Sequence, residues 1–178
     1  MAALPALITV EQLYRMETPE RCELISGRVV ELAPPSGIHW RLQWRLVQLL
    51  GGALRGWGEV GMEFPFRPVA QFERWIADVG ACSRERWKDF DVVDNLRGAP
   101  DLVIEVRSVS NTRRYFRQRA SLCLVNGCQA FWIVDQDAQT ITVLTADGSS
   151  MLYQSGDSVP LIVVSGELPV SEIFASER

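Results

Sequence analysis

Apolar residues recur at helical spacing from Ile38 to about Trp57, where Leu42, Leu46, Leu49, Leu50, Ala53 and Leu54 line one face. This is the longest helix in the chain, and Gly56 and Gly58 close it. A second helical stretch covers Thr112 to Asn126, with Phe116, Ala120, Cys123 and Leu124 on one face and Gly127 as terminator. Near the start, Thr9-Val-Glu-Gln12 fits a capping box and predicts a helix of one or two turns that stops before Pro19. Elsewhere the pattern changes to strands. CELISGRVVEL holds two β-type runs that turn at Ser26-Gly27 as a hairpin. Pro34-Pro35-Ser36-Gly37 then breaks the chain, and Ser36 can cap the long helix. Strands are predicted at about Glu59 to Val69 and Arg74 to Cys82, then over 131–135 and 140–145. A weaker strand follows near Met151 to Gln154, with a tail ending near Phe174. Ser83 to Gly98 is polar and charge-mixed, and reads as a surface loop with one helical turn.

The stretch around which these elements are organised is Pro100 to Ser108, PDLVIEVRS. Leu102, Val103, Ile104 and Val106 predict a central strand buried on both faces. Alternation puts Asp101, Val103, Glu105 and Arg107 on one face and Leu102, Ile104 and Val106 on the other. An unpartnered buried charge costs several kcal/mol, so this strand needs a metal ion or an ion pair. The structural alternative is that Glu105 and Arg107 simply pair with each other at a sheet edge. In the strand before it, Trp75, Ala77, Val79 and Ala81 form one predicted face and Ile76, Asp78 and Gly80 the other. Asp78 is thus an acid in the middle of an apolar strand.

Composition narrows the classes. A chain of 178 residues, 47% hydrophobic, can fill one core, and without repeats or linkers it reads as one domain over 1–178. It has no apolar run of eighteen residues and no signal-peptide pattern at its start, which predicts a cytoplasmic protein that does not enter membranes. Cys22, Cys82, Cys123 and Cys128 lack CxxC pairing, and a zinc site cannot be completed by His39 alone. Reduced, buried thiols are expected. His39, in the first turn of the long helix, reads as a surface or capping residue. The net charge of −4 argues against broad nucleic-acid binding by the whole surface. A local basic strip is another matter. From Val106 to Val134 there is no Asp or Glu, but there are Arg107, Arg113, Arg114, Arg117 and Arg119. Every basic residue except Lys88 is arginine.

Two carboxylates presented from adjacent strands, Asp78 and Glu105, are what a hard divalent cation such as Mg²⁺ or Mn²⁺ requires. A water activated there can attack a phosphodiester while a nearby cation, from the stretch Arg107 to Arg119, neutralises developing charge and holds phosphates. In this order, CELISGRVVEL, PPSGIH, ADV, PDLVIEV and an Arg-rich helix before GCQAFWIVD resemble the family called putative restriction endonucleases, in the PD-(D/E)xK nuclease superfamily. The resemblance runs from about Thr9 to Phe174. It implies a restriction-endonuclease-like α/β core, a central mixed β-sheet flanked by helices, with an N-terminal helix and hairpin. It also implies Mg²⁺-dependent DNA cleavage. By position, Asp78 matches the first metal-binding Asp, with Ala77 in place of the usual Pro, and Glu105 matches the second acid. Arg107 stands where the superfamily has lysine, and Arg119 where this family's lysine sits on the following helix. Tyr115 falls where relatives tend to carry Asp, and Cys123 where they tend to carry Tyr. Asp101 is either a third ligand or a strand-end residue bonded to backbone amides. The expected partner is DNA, bound with help from Arg113, Arg114 and Arg117; a homodimer would let one chain cut each strand. The rival expectation is a degenerate nuclease fold that binds nucleic acid or protein without cutting.

Overall fold

The computed structural model describes residues 6–18, 21–88, 94–108 and 111–175. Pro19 and the middle of the loop expected over Ser83 to Gly98 lie outside them. Thr9 caps α1 (Val10–Leu13) through a complete capping box with Gln12. A hairpin follows, β1 (Cys22–Ile25) with β2 (Arg28–Glu31), in which Ser26 and Gly27 take positive φ as the two-residue turn demands. The Ser36 hydroxyl caps α2 (Gly37–Ala53) at the His39 amide. This helix stops earlier than its apolar pattern suggests, because a turn already begins at Leu54.

A seven-stranded mixed sheet, in the order β5-β3-β4-β6-β7-β8-β9, forms the centre. Its members are β3 (Gly58–Arg67), β4 (Trp75–Ser83), β5 (Leu96–Arg97), β6 (Leu102–Val106), β7 (Ala130–Asp135), β8 (Thr140–Thr145) and β9 (Ser150–Tyr153). As its β-formers Leu102, Val103, Ile104 and Val106 predict, β6 is the middle strand, and all five of its residues, Glu105 included, are buried. Helix α2 covers one face, packing Leu42, Leu46 and Leu50 against Leu102, Ile104, Val106 and Trp132. On the other face lies α4 (Arg113–Val125), which follows the single helical turn α3 (Arg84–Trp87) in chain order. Ala120 and Cys123 of α4 pack with Val103 and Phe131. The tail has more structure than expected. It forms a second hairpin, β10 (Ser158–Pro160) with β11 (Glu167–Pro169), and a closing turn of helix, α5 (Val170–Ile173).

Strand β4 departs from simple alternation, and the departure matters for the site. Trp75 and Ala77 pack on the α4 side, whereas Val79 and Ala81 pack on the α2 side. The phase therefore flips at Asp78, and the four residues do not share the single face expected of them. The partner strand flips too: in the β3–β4 register Glu63 is the residue opposite Asp78, and it takes φ +49. An αL residue within a strand turns its side chain out of the pleat. Here it brings carboxylates to an interruption of the sheet.

Candidate active site

Three acids cross the sheet in a row. Register places Glu63 of β3 opposite Asp78 of β4, and extending the β4–β6 pairing by one step places Glu105 of β6 on Asp78's other side. The ladder is interrupted at Asp78, so the Asp78 and Glu63 carboxylates meet side chains of α2 while Glu105 meets α4. All three line one cleft of about 470 Å³, together with Glu23, His39, Arg107 and Tyr115.

Asp78 is the most constrained of them. Its Oδ1 accepts from Gln43 Nε2 at 2.7 Å and from His39 Nε2 at 3.0 Å, both reaching down from α2. Its Oδ2 accepts from the Val106 amide at 2.7 Å, a backbone donor that β4 does not use because the ladder ends at Val79. The hydrogen bond to Asp78 raises the His39 pKa above its usual value. His39 is therefore a site residue, which corrects its reading as a surface or capping side chain. Four residues apart on one helix, it and Gln43 face the same strand. Gln43 also donates to Glu63 Oε1 at 3.1 Å, and the Arg21 guanidinium bonds Glu63 Oε2.

Glu105 is held from the opposite face. Arg119 Nε and Nη2 both donate to its Oε1, at 3.1 and 2.9 Å. Nη1 of the same guanidinium grips both oxygens of Glu23 at 2.9 Å, and Nη2 also donates to the Ile76 carbonyl at 3.1 Å. All five N–H donors are thereby spent. Arg119 is 3% exposed, and its guanidinium sits 4.6 Å from the Trp75 ring centroid and 5.3 Å from that of Tyr115. Burial pushes the Glu105 carboxyl up to about 8 against the attraction of Arg119, with Asp78 and Glu23 adding to the rise. Its Oε2 has no hydrogen bond among the described residues. The guanidinium pairs with both acids, at 2.9 Å to Glu23 and 2.9 Å to Glu105.

Arg107 lies outside the buried set. It is half-exposed at the cleft rim and pairs with Asp135 of β7, so the Glu105–Arg107 pair offered as the structural alternative does not form. Arg113, Arg114 and Arg117 are exposed on α4 and do not line the cleft. Asp101 is not brought to it either. Its Oδ2 accepts from the Ser83 amide at 2.8 Å, its Oδ1 from Gln129 at 3.1 Å, and Arg86 pairs with it. We expect Asp101→Ala to lower stability by about 1–3 kcal/mol, through the orphaned Ser83 amide, and to leave nucleic-acid or metal binding unchanged. Urea unfolding and titration of the same variant check both halves.

The family model Uma2, described as "Putative restriction endonuclease", matches residues 10–170. The chain belongs to the Uma2 family. Among solved structures it is similar to a putative nuclease belonging to DUF820 from Anabaena variabilis ATCC 29413. The TM-score is 0.80 at 19% identity, covering 94% of this chain and 98% of that one. That likeness establishes a shared fold. No curated protein matches the chain.

Within the Uma2 fold, this chain's site includes Glu23, Glu63, His39 and Gln43, which stand outside the residues expected from the sequence. A signal existed for two of them. Glu23 and Glu63 are lone acids inside apolar runs, Cys-Glu-Leu-Ile and Met-Glu-Phe, the same pattern that drew attention to Asp78. Among the described residues no three His, Cys, Asp or Glu side chains are grouped to hold a metal by themselves. Asp78 and Glu105 nevertheless fit a hydrated Mg²⁺, which commonly takes one or two carboxylates and keeps several waters. Glu105 Oε2 is uncommitted, and the Asp78 oxygens are fixed in orientation.

Proposed function

We propose that this chain is a divalent-cation-dependent nuclease that hydrolyses DNA phosphodiesters, with Asp78 and Glu105 holding Mg²⁺ or Mn²⁺. The observation that carries this is the row of acids, Glu63, Asp78 and Glu105, lining one cleft with Glu105 Oε2 free of hydrogen bonds among the described residues. Burial holds Glu105 up at about 8 against the attraction of Arg119, with Asp78 and Glu23 adding to the rise, and a cation between the two strands would offset both the burial cost and the repulsion. A bound divalent ion supplies charge neutralisation at the scissile phosphate and an acidified water. The chain's own residues do the rest. The Val106 amide and Gln43 fix Asp78, Arg119 fixes Glu105, and His39 holds a proton on the Asp78 side of the cleft. Arg107, at the rim, is the cation with reach to a phosphate; Arg119 acts as a positioning residue. Four unpaired, buried cysteines agree with a cytoplasmic setting, and no described helix is long and apolar enough to cross a membrane.

One observation favours a second reading, a non-cutting binder of nucleic acid. No lysine lines the cleft among the described residues, and the arginine at the family's lysine position has no donor left to offer a phosphate. Thermal unfolding with and without millimolar Mn²⁺, run beside a plasmid-nicking assay, separates the two. Mn²⁺ should raise Tm of the wild type by a few degrees, by about the mass-action amount for a ligand that binds only the folded chain, and Glu105→Gln should abolish the rise. Nicking that depends on Asp78 supports the nuclease. A Tm rise without nicking favours the binder. No rise at all removes the metal from the proposal.

A further inference from the structure

Helix α2 presents two tryptophans to solvent beside the acid cleft. Trp40 and Trp44 are each 48% exposed, and their rings lie parallel, 2° apart in plane and 6.1 Å between centroids. Four residues apart, they share the outer face of the helix, opposite the face that carries Leu42, Leu46 and Leu50. Arg41 and Arg45 flank them, lining the same groove of about 820 Å³. Arg45 Nε donates to the Glu172 carbonyl, while Arg41 makes no ion pair among the described residues. The groove does not stand apart from the acid row. Ile38 and Gln136 line both, so one wall is continuous from the tryptophans to Asp78 and Glu105.

We infer that this groove binds an unpaired stretch of the nucleic-acid strand whose phosphodiester lies in the acid cleft, with bases stacked on Trp40 and Trp44 and phosphates against Arg41 and Arg45. Flat aromatic faces interleaved with arginines are the means by which proteins hold single strands without reading sequence. The base faces inside a duplex are already covered by their neighbours, so the tryptophans have nothing to stack on in uninterrupted double helix. The inference rests on the nuclease reading of the acid cleft and narrows its substrate to DNA with a single-stranded segment, such as a flap, gap or loop. A second copy of the chain could also cover exposed tryptophans. Continuity with the acid row and the uncommitted Arg41 charge favour the nucleic acid.

The test is fluorescence anisotropy without metal, using a labelled oligothymidylate of about a dozen nucleotides, within the reach of such platforms, and a duplex of equal length. The unaltered protein should prefer the single strand. Trp40→Ala with Trp44→Ala should weaken single-strand binding about tenfold or more, the scale of losing base–aromatic stacking. Trp40→Phe with Trp44→Phe should retain most of it. Should the alanine pair fold poorly, Arg41→Glu serves instead; that side chain is exposed, and its loss should weaken binding and lower the salt slope by about one. Unchanged single-strand affinity in these variants overturns the inference. Duplex binding that exceeds single-strand binding overturns it too, while leaving the nuclease reading in place. Binding of neither nucleic acid removes both. Sedimentation of the wild type as a dimer and of the alanine pair as a monomer, with binding unchanged, would assign the groove to a second copy and overturn the inference.

Discussion

Arg119→Met will destabilise the protein by about 3–5 kcal/mol, the cost of leaving a buried charge without its partner. The variant keeps the length and apolar stem of the side chain but strands Glu23, whose two oxygens take Arg119 Nη1 at 2.9 Å. It also opens the Ile76 carbonyl and removes the cation held between Trp75 and Tyr115. Urea unfolding gives the figure. A second substitution that removes the stranded charge, Glu23→Gln in the same chain, should recover part of the loss. A loss under about 1 kcal/mol, the range of a surface pair, would show that the guanidinium does not carry the structure. Arg119→Lys is the informative neighbour. Lysine offers three donors where five are used, so it cannot serve Glu23, Glu105 and the Ile76 carbonyl together. We expect it to be less stable than the wild type. Any gain in cleavage from the family-like lysine would come at that cost.

The stability of the metal-free protein will fall as pH rises from about 4.5 to about 8, the two values between which Glu105 changes from unfolded to folded behaviour. Over that window the folded chain keeps a proton that the unfolded chain has released. Raising pH therefore favours unfolding, and the slope disappears above the folded value. His39 acts in the same direction. Its pKa is raised above 6.5, so its contribution is full below that value and is lost as pH passes through the folded one. Glu105→Gln separates the two. Glutamine keeps a carbonyl oxygen for Arg119 and cannot ionise, so most of the slope should vanish and only the His39 share remain. At about pH 8 the variant should equal or exceed the wild type, by up to a few kcal/mol if the whole shift is relieved. Denaturant midpoints across the range measure this. A large loss of stability in Glu105→Gln near neutral pH would instead mean that Glu105 is ionised there and is Arg119's true partner.

Much of the fold was legible because its signals are local. A capping box, a Ser-Gly hairpin turn, one long amphipathic helix and a run of buried β-formers each depend on residues within a few positions of one another. The middle strand could be recognised without knowing its neighbours, since only a strand covered on both faces tolerates LVIEV without alternation. By the same reasoning, Asp78 and Glu105 stood out as acids in apolar strands. The charged partners of those acids were not legible. Glu105 has Arg107 two residues away and shares its strand face, yet it bonds Arg119, and Arg107 turns to Asp135. Pairing is decided by which elements the sheet order and helix packing bring together, and those distances run to 96 residues between Glu23 and Arg119. The flip at Asp78 was hidden for a related reason. Strict alternation describes a regular strand, and the interruption is imposed by Glu63 across the ladder in αL conformation. His39 illustrates the same limit from the helix side: its place in the first turn was visible, but only the packing of α2 against β4 aims its ring at Asp78. The sequence alone thus determined which segments are helix and strand and which acids are out of place, because those depend on near neighbours. Tertiary structure decided which charges those acids meet and which arginine is free, because in a buried site the partner is chosen by packing and the cost of an unpaired charge enforces the choice.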